Sequence, residues 1–409
     1  MKILALGGCG DMGRMAIAIL LEHPKITSIT LADKNYELAK RIVDLINSEK
    51  LSPFQIDVTE KEKLIELMSK HDVIVSTVGP YYKFGKYIVE AVIEVKKPYL
   101  DICDDWDATQ EILELDDKVK AAGIPVVIGI GESPGVTNLL AIYACSKLEE
   151  VDDVIAAWGV AFGIKAGKKP KYYIKPEKLR EDVGPPSGAG IAAVMHFLYE
   201  AIGKIPTYKD GKMIEIEALS EIEPLKIPGY KEVYACHLGH PEPVTLPRTI
   251  KANTIASVMF LGETATEVTR SYCQKIINKE LTIQEAAFSL NKEFEELEEK
   301  AFQGQPPLEE LLGGPPTPCV IATGIKNGKR KKIAVTLVPQ PFGEMAGMTG
   351  IPLAIGTIML IEGKTKKKVG VLTPEETYEP EEFFDKLAPF CGRKLTSFKD
   401  ILVEKEEEI

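Results

Sequence analysis

The sequence predicts an α/β protein built on a doubly wound, mostly parallel sheet, and three observations carry that expectation. Short apolar strands alternate with amphipathic helices over residues 1–130, the joints between them are short, and the first joint is a run of glycines between a strand and a helix. The chain, at 409 residues, is long enough for a second domain, and its 45% hydrophobic content supplies the cores.

The first strand, KILAL, runs into GGCGDMG, where Gly8, Gly10 and Gly13 have the G-x-G-x-x-G spacing. The first glycine permits a tight turn, the second lets a pyrophosphate approach the backbone, and the third lets helix and strand pack closely. Asp11 and Met12 open the following helix, whose first N–H groups can receive phosphate oxygens. The second strand, SITLAD, ends in Asp33, placed to accept both hydroxyls of an adenosine ribose. That carboxylate repels a 2′-phosphate and favours NAD, whereas Lys34 follows at once and offsets the repulsion, so NADP stays open. Strand, glycine turn, helix and acidic residue together predict a Rossmann-type dinucleotide-binding domain.

The alternation then continues. FQIDV reads as a strand ending at Asp57, where Asp57 and Val58 either flank an adenine or, with Thr59, cap the next helix. DVIVSTVG is an apolar strand whose exit, Ser76, Thr77, Gly79 and Pro80, lies where the nicotinamide half would cross; small residues there allow close approach or make a plain turn. Tyr81 and Tyr82 follow, able to orient a polar substrate or to pack as a lid. KYIVEAVIEVK is a helix, PYLDIC a strand with Asp101 and Asp104 at its exit, and ATQEILELDDKVKAAG a helix. PVVIGIGESPGVTNLL then puts two glycines, Glu132 and a Pro-Gly pair at the carboxyl end of about the sixth strand, the edge where such sheets hold ligands. Glu132 either faces a reacting carbon or caps the helix after Pro134.

Net charge is −11, which disfavours a nucleic-acid surface. Seven scattered cysteines without a CxxC pair read as reduced thiols of an intracellular protein. MKILALGG is broken too early by glycine to be a secretory signal, and the apolar stretch Ile351–Ile361 is too short to cross a bilayer. The expectation is a cytoplasmic protein with neither membrane nor nucleic-acid partner.

Past the first domain, residues 168–186 are polar and proline-rich and read as a mobile insertion. SGAGIAAVMHFLYEAIG is a close-packing helix with His196 as a core or hydrogen-bonded residue. KMIEIEAL, EVYACHLG and KKIAVTLVP read as strands; SVMFLGETATEVTRSYCQKIIN reads as one long helix or a helix pair, and NKEFEELEEKAF as a solvated face. Cys236, His237, His240 and Glu242 carry zinc-ligand atoms, but adjacent strand residues point to opposite faces, so no metal is expected. HLGHPEPVTLPR reads better as a substrate segment, with His240 and Glu242 placed to bind an amino group or shuttle a proton and Arg248 to clamp a carboxylate. A plain Glu242–Arg248 ion pair is the competing reading. Thr349 and Gly350, near the start of the last long apolar helix, suit close approach to a ligand or to the first domain.

GGCGDMG, STVGPYYKFGKYIVEAVIEVKKPYLD and GIGESPGVTNLLA, with GHPEPVTLPRTI and GMTGIPLAIGTIMLIEGKTKKKVGVLTPEE farther on, resemble the saccharopine dehydrogenase family, in particular its saccharopine reductase and lysine 6-dehydrogenase branches. The resemblance implies an NAD(P)-dependent oxidoreductase acting at a C–N bond of an amino acid, opine or imine. It also implies three parts: a Rossmann domain over 1–130, an inserted α+β substrate and dimerisation domain over 131–340, and a segment 341–409 returning to the first domain. A homodimer joined through the second domain follows from the same likeness. Glu132 would stabilise an iminium carbon, with Asp101, Asp104 and His240 as competitors for the catalytic role. Branch-specific sequence for saccharopine is absent, so the substrate stays open. Two other readings also stay open: a redox enzyme on a carbonyl or hydroxyl compound, for which Lys83 or Lys86 is available, and a nucleotide-binding regulatory protein without catalysis.

Overall fold

The computed structural model describes residues 1–159, 168–175, 179, 189–220, 224–302 and 315–409. Only 168–175 and 179 of the expected mobile insertion are among them, so that expectation falls largely outside the described residues. The chain divides into two compact units. The first comprises Met1–Leu139 and Val338–Leu402 with the described part of 161–184; the second comprises the described parts of 140–160 and 185–337 with Val403–Ile409.

The first unit is wound from β1 (Lys2–Leu6), α1 (Asp11–Leu20), β2 (Ser28–Asp33), α2 (Tyr36–Ile46), β3 (Leu51–Gln55), α3 (Lys61–Ser69), β4 (Val73–Ser76), α4 (Tyr81–Val95), β5 (Tyr99–Asp101), α5 (Trp106–Leu113), α6 (Asp116–Ala122) and β6 (Pro125–Val127). A late strand, Gly370–Leu372, pairs with β6 and brings the end of the chain back to this sheet. The order is Gly370–Leu372, β6, β5, β4, β1, β2, β3, with every pairing parallel. Strand order reverses between β1 and β4, and at such a reversal the exits diverge and leave a crevice for a ligand.

Burial explains why these segments form. Four of the five residues of β1 and all four of β4 are buried, as strands covered on both faces require. One core gathers Leu4, Leu6, Ile74, Ile88, Val92, Tyr99 and Val126. FQIDV is strand only as far as Gln55, and the helix expected over ATQEILELDDKVKAAG breaks between Leu113 and Asp116.

The Glu344–Glu362 helix is longer than the apolar stretch the sequence suggested, and by length and composition it could cross a membrane. It is a core helix instead, apolar around its circumference because it is enclosed. It lies against α1 so tightly that a Cβ at Gly350 would stand 2.5 Å from the Met12 carbonyl oxygen and 2.8 Å from Met15 Cβ. The closeness expected of Gly350 is therefore helix on helix.

The second unit holds a mixed sheet of β7 (Glu150–Trp158), β8 (Lys204–Lys209), β9 (Lys212–Glu217), β10 (Cys236–His237), β11 (Thr254–Met259), β12 (Cys319–Lys326) and β13 (Lys329–Leu337), joined by the final strand Leu402–Glu408. β7 and β11 pair in parallel and the remaining registered pairs are antiparallel. Alternation along β11 sorts its side chains. Met259 enters a core with the helices Ala189–Glu200, Glu263–Ile277 and Ile283–Phe302, while Ala256 and Val258 enter a second core with Leu225, Ile227 and Val233. SVMFLGETATEVTRSYCQKIIN is thus the end of a strand and one helix, parted at Gly262, whose φ of +76° starts a new direction. EVYACHLG contributes only the two-residue β10. All seven cysteines are free thiols.

Candidate active site

At the β1 exit the left-handed turn falls at Gly7, φ +69°, whose N–H donates to the Ala32 carbonyl at 2.9 Å. Gly8 is a packing glycine: a Cβ there would meet Ile17 Cδ1 at 2.9 Å and Leu31 Cγ at 3.0 Å. Gly10 is the N-cap of α1 and stands open, with nothing nearer than 3.6 Å to a Cβ. Gly13 lets α1 touch the β4 exit, because its Cβ would sit 2.8 Å from Thr77 Oγ1 and 2.9 Å from Gly8 Cα. The first N–H groups of α1, from Asp11 to Gly13, have no partner within the helix and face the position where a pyrophosphate binds in this motif. Asp11 itself pairs with Arg14, whose Nη1 also donates to the Cys9 carbonyl at 2.6 Å and braces the loop.

Asp33 stands at the β2 exit as expected. Its Oδ2 accepts the Cys9 N–H at 3.2 Å and its Oδ1 the Asn35 N–H at 3.0 Å, so one carboxylate joins the glycine loop to the next turn. Lys34 Nζ lies 2.9 Å from Asp57 Oδ2. Asp57 also accepts from Thr59 N–H and Thr59 hydroxyl at 3.0 and 2.7 Å, and these bonds, with Lys34, hold its carboxyl well below the usual range. Asp57 shapes the turn ahead of α3, and Val58 is buried in the core.

At the β4 exit, Ser76 is buried and Thr77 Oγ1 donates to the Gly7 carbonyl at 2.9 Å, tying this exit to the glycine loop. Gly79 has nothing within 4 Å of a Cβ, and Pro80 is the N-cap of α4. Tyr81 and Tyr82 separate in role. Tyr81 is buried and its hydroxyl donates to the Ser76 carbonyl at 3.2 Å, bracing the β4 exit. Tyr82 is exposed, its N–H held by Asp105 Oδ2 at 2.9 Å and its ring 5.5 Å from Lys83 Nζ. Lys86 pairs with Glu111 at 3.7 Å.

The β5 and β6 exits form one construction. Asp101 is fully buried, and its Oδ1 accepts the N–H groups of Cys103 at 3.0 Å and Gly129 at 2.8 Å. Burial pushes its carboxyl up to about 6 against those bonds. Asp104 is half-buried beside it. Beyond Gly129 the chain folds on itself: Gly131 N–H donates to the Pro134 carbonyl at 2.9 Å, and Val136 N–H to the Gly131 carbonyl at 3.0 Å. Gly135 has φ +124°, and a Cβ would stand 2.2 Å from the Gly131 oxygen, so no other residue fits. Half-buried Glu132 rides on this turn, its carbonyl accepting the Thr137 N–H at 3.0 Å ahead of α7 (Val136–Cys145).

Two buried residues hold the turn: Asn138, which the sequence places as the residue holding it, and Glu375, which the sequence did not single out. Asn138 Oδ1 accepts the Gly135 N–H at 3.0 Å, and Asn138 Nδ2 donates to Glu375 Oε2 at 2.9 Å. Burial raises the Glu375 carboxyl to about 7. A carboxyl raised on folding stabilises in its protonated form: the contribution is complete below the ordinary Glu value and is lost as pH rises through about 7. Glu375→Gln is therefore expected to flatten the fall in melting temperature between ~pH 5 and ~pH 8. Equal slopes in both proteins, measured by thermal denaturation across that range, would refute the assignment.

In the second unit, His240 is buried between two carboxylates, with Nε2 2.9 Å from Glu200 Oε1 and Nδ1 3.2 Å from Glu242 Oε2. Burial alone would depress this imidazole, but Glu200 and Glu242 outweigh it and hold the ring protonated, up to about 10. His196, expected as a core or hydrogen-bonded residue, reaches the same Glu200 oxygen at 2.9 Å. Glu242 thus faces His240, and Arg248 is exposed at the end of a short 3-10 turn.

Comparison with known proteins then decides the family. A family model described as the saccharopine dehydrogenase NADP binding domain matches residues 3–127, and one described as the saccharopine dehydrogenase C-terminal domain matches residues 193–392. The chain belongs to the saccharopine dehydrogenase family. A similar solved structure, apo saccharopine dehydrogenase (L-Glu forming) from Saccharomyces cerevisiae, covers 99% of each chain at 18% identity with a TM-score of 0.61, a likeness of fold. Among curated relatives, a carboxyaminopropylagmatine dehydrogenase from Synechocystis sp. is 24% identical over 94% of both chains. A carboxynorspermidine synthase from Vibrio cholerae is 26% identical over 43% of this chain and 47% of its own, and a Pyricularia oryzae saccharopine dehydrogenase is 27% identical over 37% and 31%. This member of the saccharopine dehydrogenase family spans about half the length of the Vibrio relative and about a third of the Pyricularia one. The matched nucleotide domain, the open Gly10 and the free start of α1 fit a nicotinamide dinucleotide cofactor.

Proposed function

We propose that this protein is an NAD(P)-dependent oxidoreductase that forms or breaks a C–N bond in a carboxylate-bearing amine, an amino acid or polyamine conjugate. The observation that carries the reading is the likeness to carboxyaminopropylagmatine dehydrogenase over 94% of both chains. The nicotinamide supplies or removes hydride at the carbon bonded to nitrogen. The residues of this chain do the rest. The α1 start and the glycine loop hold the phosphates, Asp33 receives the ribose, and the Ser76–Pro80 exit leaves room for close approach. Glu132 is the carboxylate that stabilises positive charge developing on the substrate's C=N carbon, and Asp101, rather than meeting substrate, fixes the loop that carries it. The test is a panel of amines and amino acids paired with keto acids and aldehydes, followed by absorbance of the reduced nicotinamide. Turnover confined to carbonyl or hydroxyl compounds without an amine, or tight cofactor binding with no turnover on any pair, would refute the reading.

Cofactor choice rests on Asp33, whose carboxylate opposes a 2′-phosphate, and on Lys34, engaged by Asp57. NADH is expected to bind more tightly than NADPH, and Asp33→Ala to narrow the gap. Tighter NADPH binding by the unaltered protein, in a fluorescence titration, would reverse the assignment and make Lys34 the phosphate partner.

A homodimer joined through the second unit completes the proposal, with Ile277 and Phe288 of that unit each 54% exposed as candidates for burial. A solution mass at micromolar concentration of 45.0 kDa alone would contradict it. Cytoplasmic location remains an expectation from the reduced cysteines.

A further inference from the structure

The turn that carries Glu132 is tied to a part of the chain far from it in sequence. Glu375 lies in the short helix Pro374–Thr377, directly after the strand that pairs with β6. That helix is locked by a capping box between Thr373 and Glu376, and Lys366 Nζ holds the Glu375 main-chain carbonyl at 2.8 Å. The Glu375 side chain is 2% exposed and meets Asn138, itself fully buried, at 2.9 Å. Asn138 has one amide oxygen and one amide nitrogen to place, and the contact decides the allocation. Because Glu375 Oε2 takes the Nδ2–H, Oδ1 is turned toward the Gly135 N–H. That N–H belongs to the residue whose backbone closes on Gly131, the residue before Glu132. If Asn138 turned over, its NH₂ would face the Gly135 N–H, donor against donor, and the turn would lose its anchor.

We propose that Glu375 is a positioning residue for the candidate active site: by orienting the Asn138 amide it fixes the Gly131–Gly135 turn that presents Glu132. The inference rests on the proposed role of Glu132, but the geometry it asserts is measurable without turnover. The charged groups around Glu375 are its neighbour Glu376, paired with Lys367 Nζ at 2.5 Å, and Lys366 at the backbone carbonyl. Ionisation of Glu375 as pH rises through about 7 is opposed by its burial and so favours opening of the turn that Asn138 holds.

Two variants separate positioning from simple stability. Glu375→Gln keeps the shape and one acceptor oxygen, whereas Glu375→Leu removes the acceptor. Amide hydrogen exchange at Gly135, as a protection factor, should stay near the wild-type value in Glu375→Gln and fall about 10-fold or more in Glu375→Leu, about the loss of one buried hydrogen bond. Turnover, where an amine substrate is found, should follow the same order, with kcat falling in Glu375→Leu and nucleotide affinity unchanged. Gly135 protection in the wild type should also fall as pH rises through about 7, a step absent from Glu375→Gln. Should Glu375→Leu fail to fold, that pH step decides alone. Equal Gly135 protection in Glu375→Leu and wild type, or the same pH step in Glu375→Gln, overturns the inference. Loss of Gly135 protection with no turnover by any form leaves positioning supported and refutes the enzymatic reading instead.

Discussion

Turnover on an amine substrate is expected to fall by about 10²-fold or more in Glu132→Gln, with nucleotide affinity and melting temperature nearly unchanged. The substitution keeps volume and hydrogen-bonding reach and removes the charge. It also leaves the main-chain cap in place, since the Glu132 carbonyl, not its carboxylate, accepts the Thr137 N–H. A positively charged C=N carbon gains most from a fixed carboxylate in a site shielded from water, and the turn around Gly135 cannot relax to let another group substitute. Steady-state kinetics and thermal denaturation on the same preparations check this. Unchanged turnover with reduced stability would make Glu132 a structural residue, and Asp104 would inherit the role.

Nucleotide affinity is expected to weaken by about 10²-fold or more in Gly13→Val, a loss of about 2.7 kcal/mol. A Cβ at this position would overlap Thr77 Oγ1 and Gly8 Cα, both held by neighbouring backbone, so α1 must move off the β4 exit. Thr77 then loses its grip on the Gly7 carbonyl, and the N–H groups at the start of α1 shift from the line on which a phosphate is held. Fluorescence titration with both reduced nucleotides reads the change. Wild-type affinity in a folded Gly13→Val protein would remove the glycine loop from the cofactor site.

The parallel sheet and its glycine loop were legible because its central strands β1 and β4 are buried apolar runs bounded by turn residues, and each helix follows within a few positions. The second unit was less so. β11 is buried on both faces, and SVMF carries no period that separates such a strand from the start of a helix. β10 is strand for two residues, paired with β11 over Cys236–His237, too short a run to show an alternation in the sequence. Among the candidate residues, positions set by local sequence were legible: Asp33 at a strand end, Glu132 on a Pro-Gly turn. Those set by distant pairing were not. Glu375 meets Asn138 across 237 residues, and no spacing rule links PGVTN to LTPEE. Tyr81 was placed correctly at the β4 exit, but the hydroxyl that distinguishes a brace from a substrate contact depends on the Ser76 carbonyl, which only the folded chain brings within 3.2 Å.

The most direct test of hydride transfer at a C–N bond follows the hydride itself. Reduced nicotinamide carrying deuterium at the transferred position is incubated with the protein and an amine and keto-acid pair that supports turnover, and the product is analysed by mass spectrometry and proton NMR. One deuterium on the carbon bonded to the new secondary nitrogen is the predicted result. Deuterium on a hydroxyl-bearing carbon, with the amine recovered unchanged, would contradict the account.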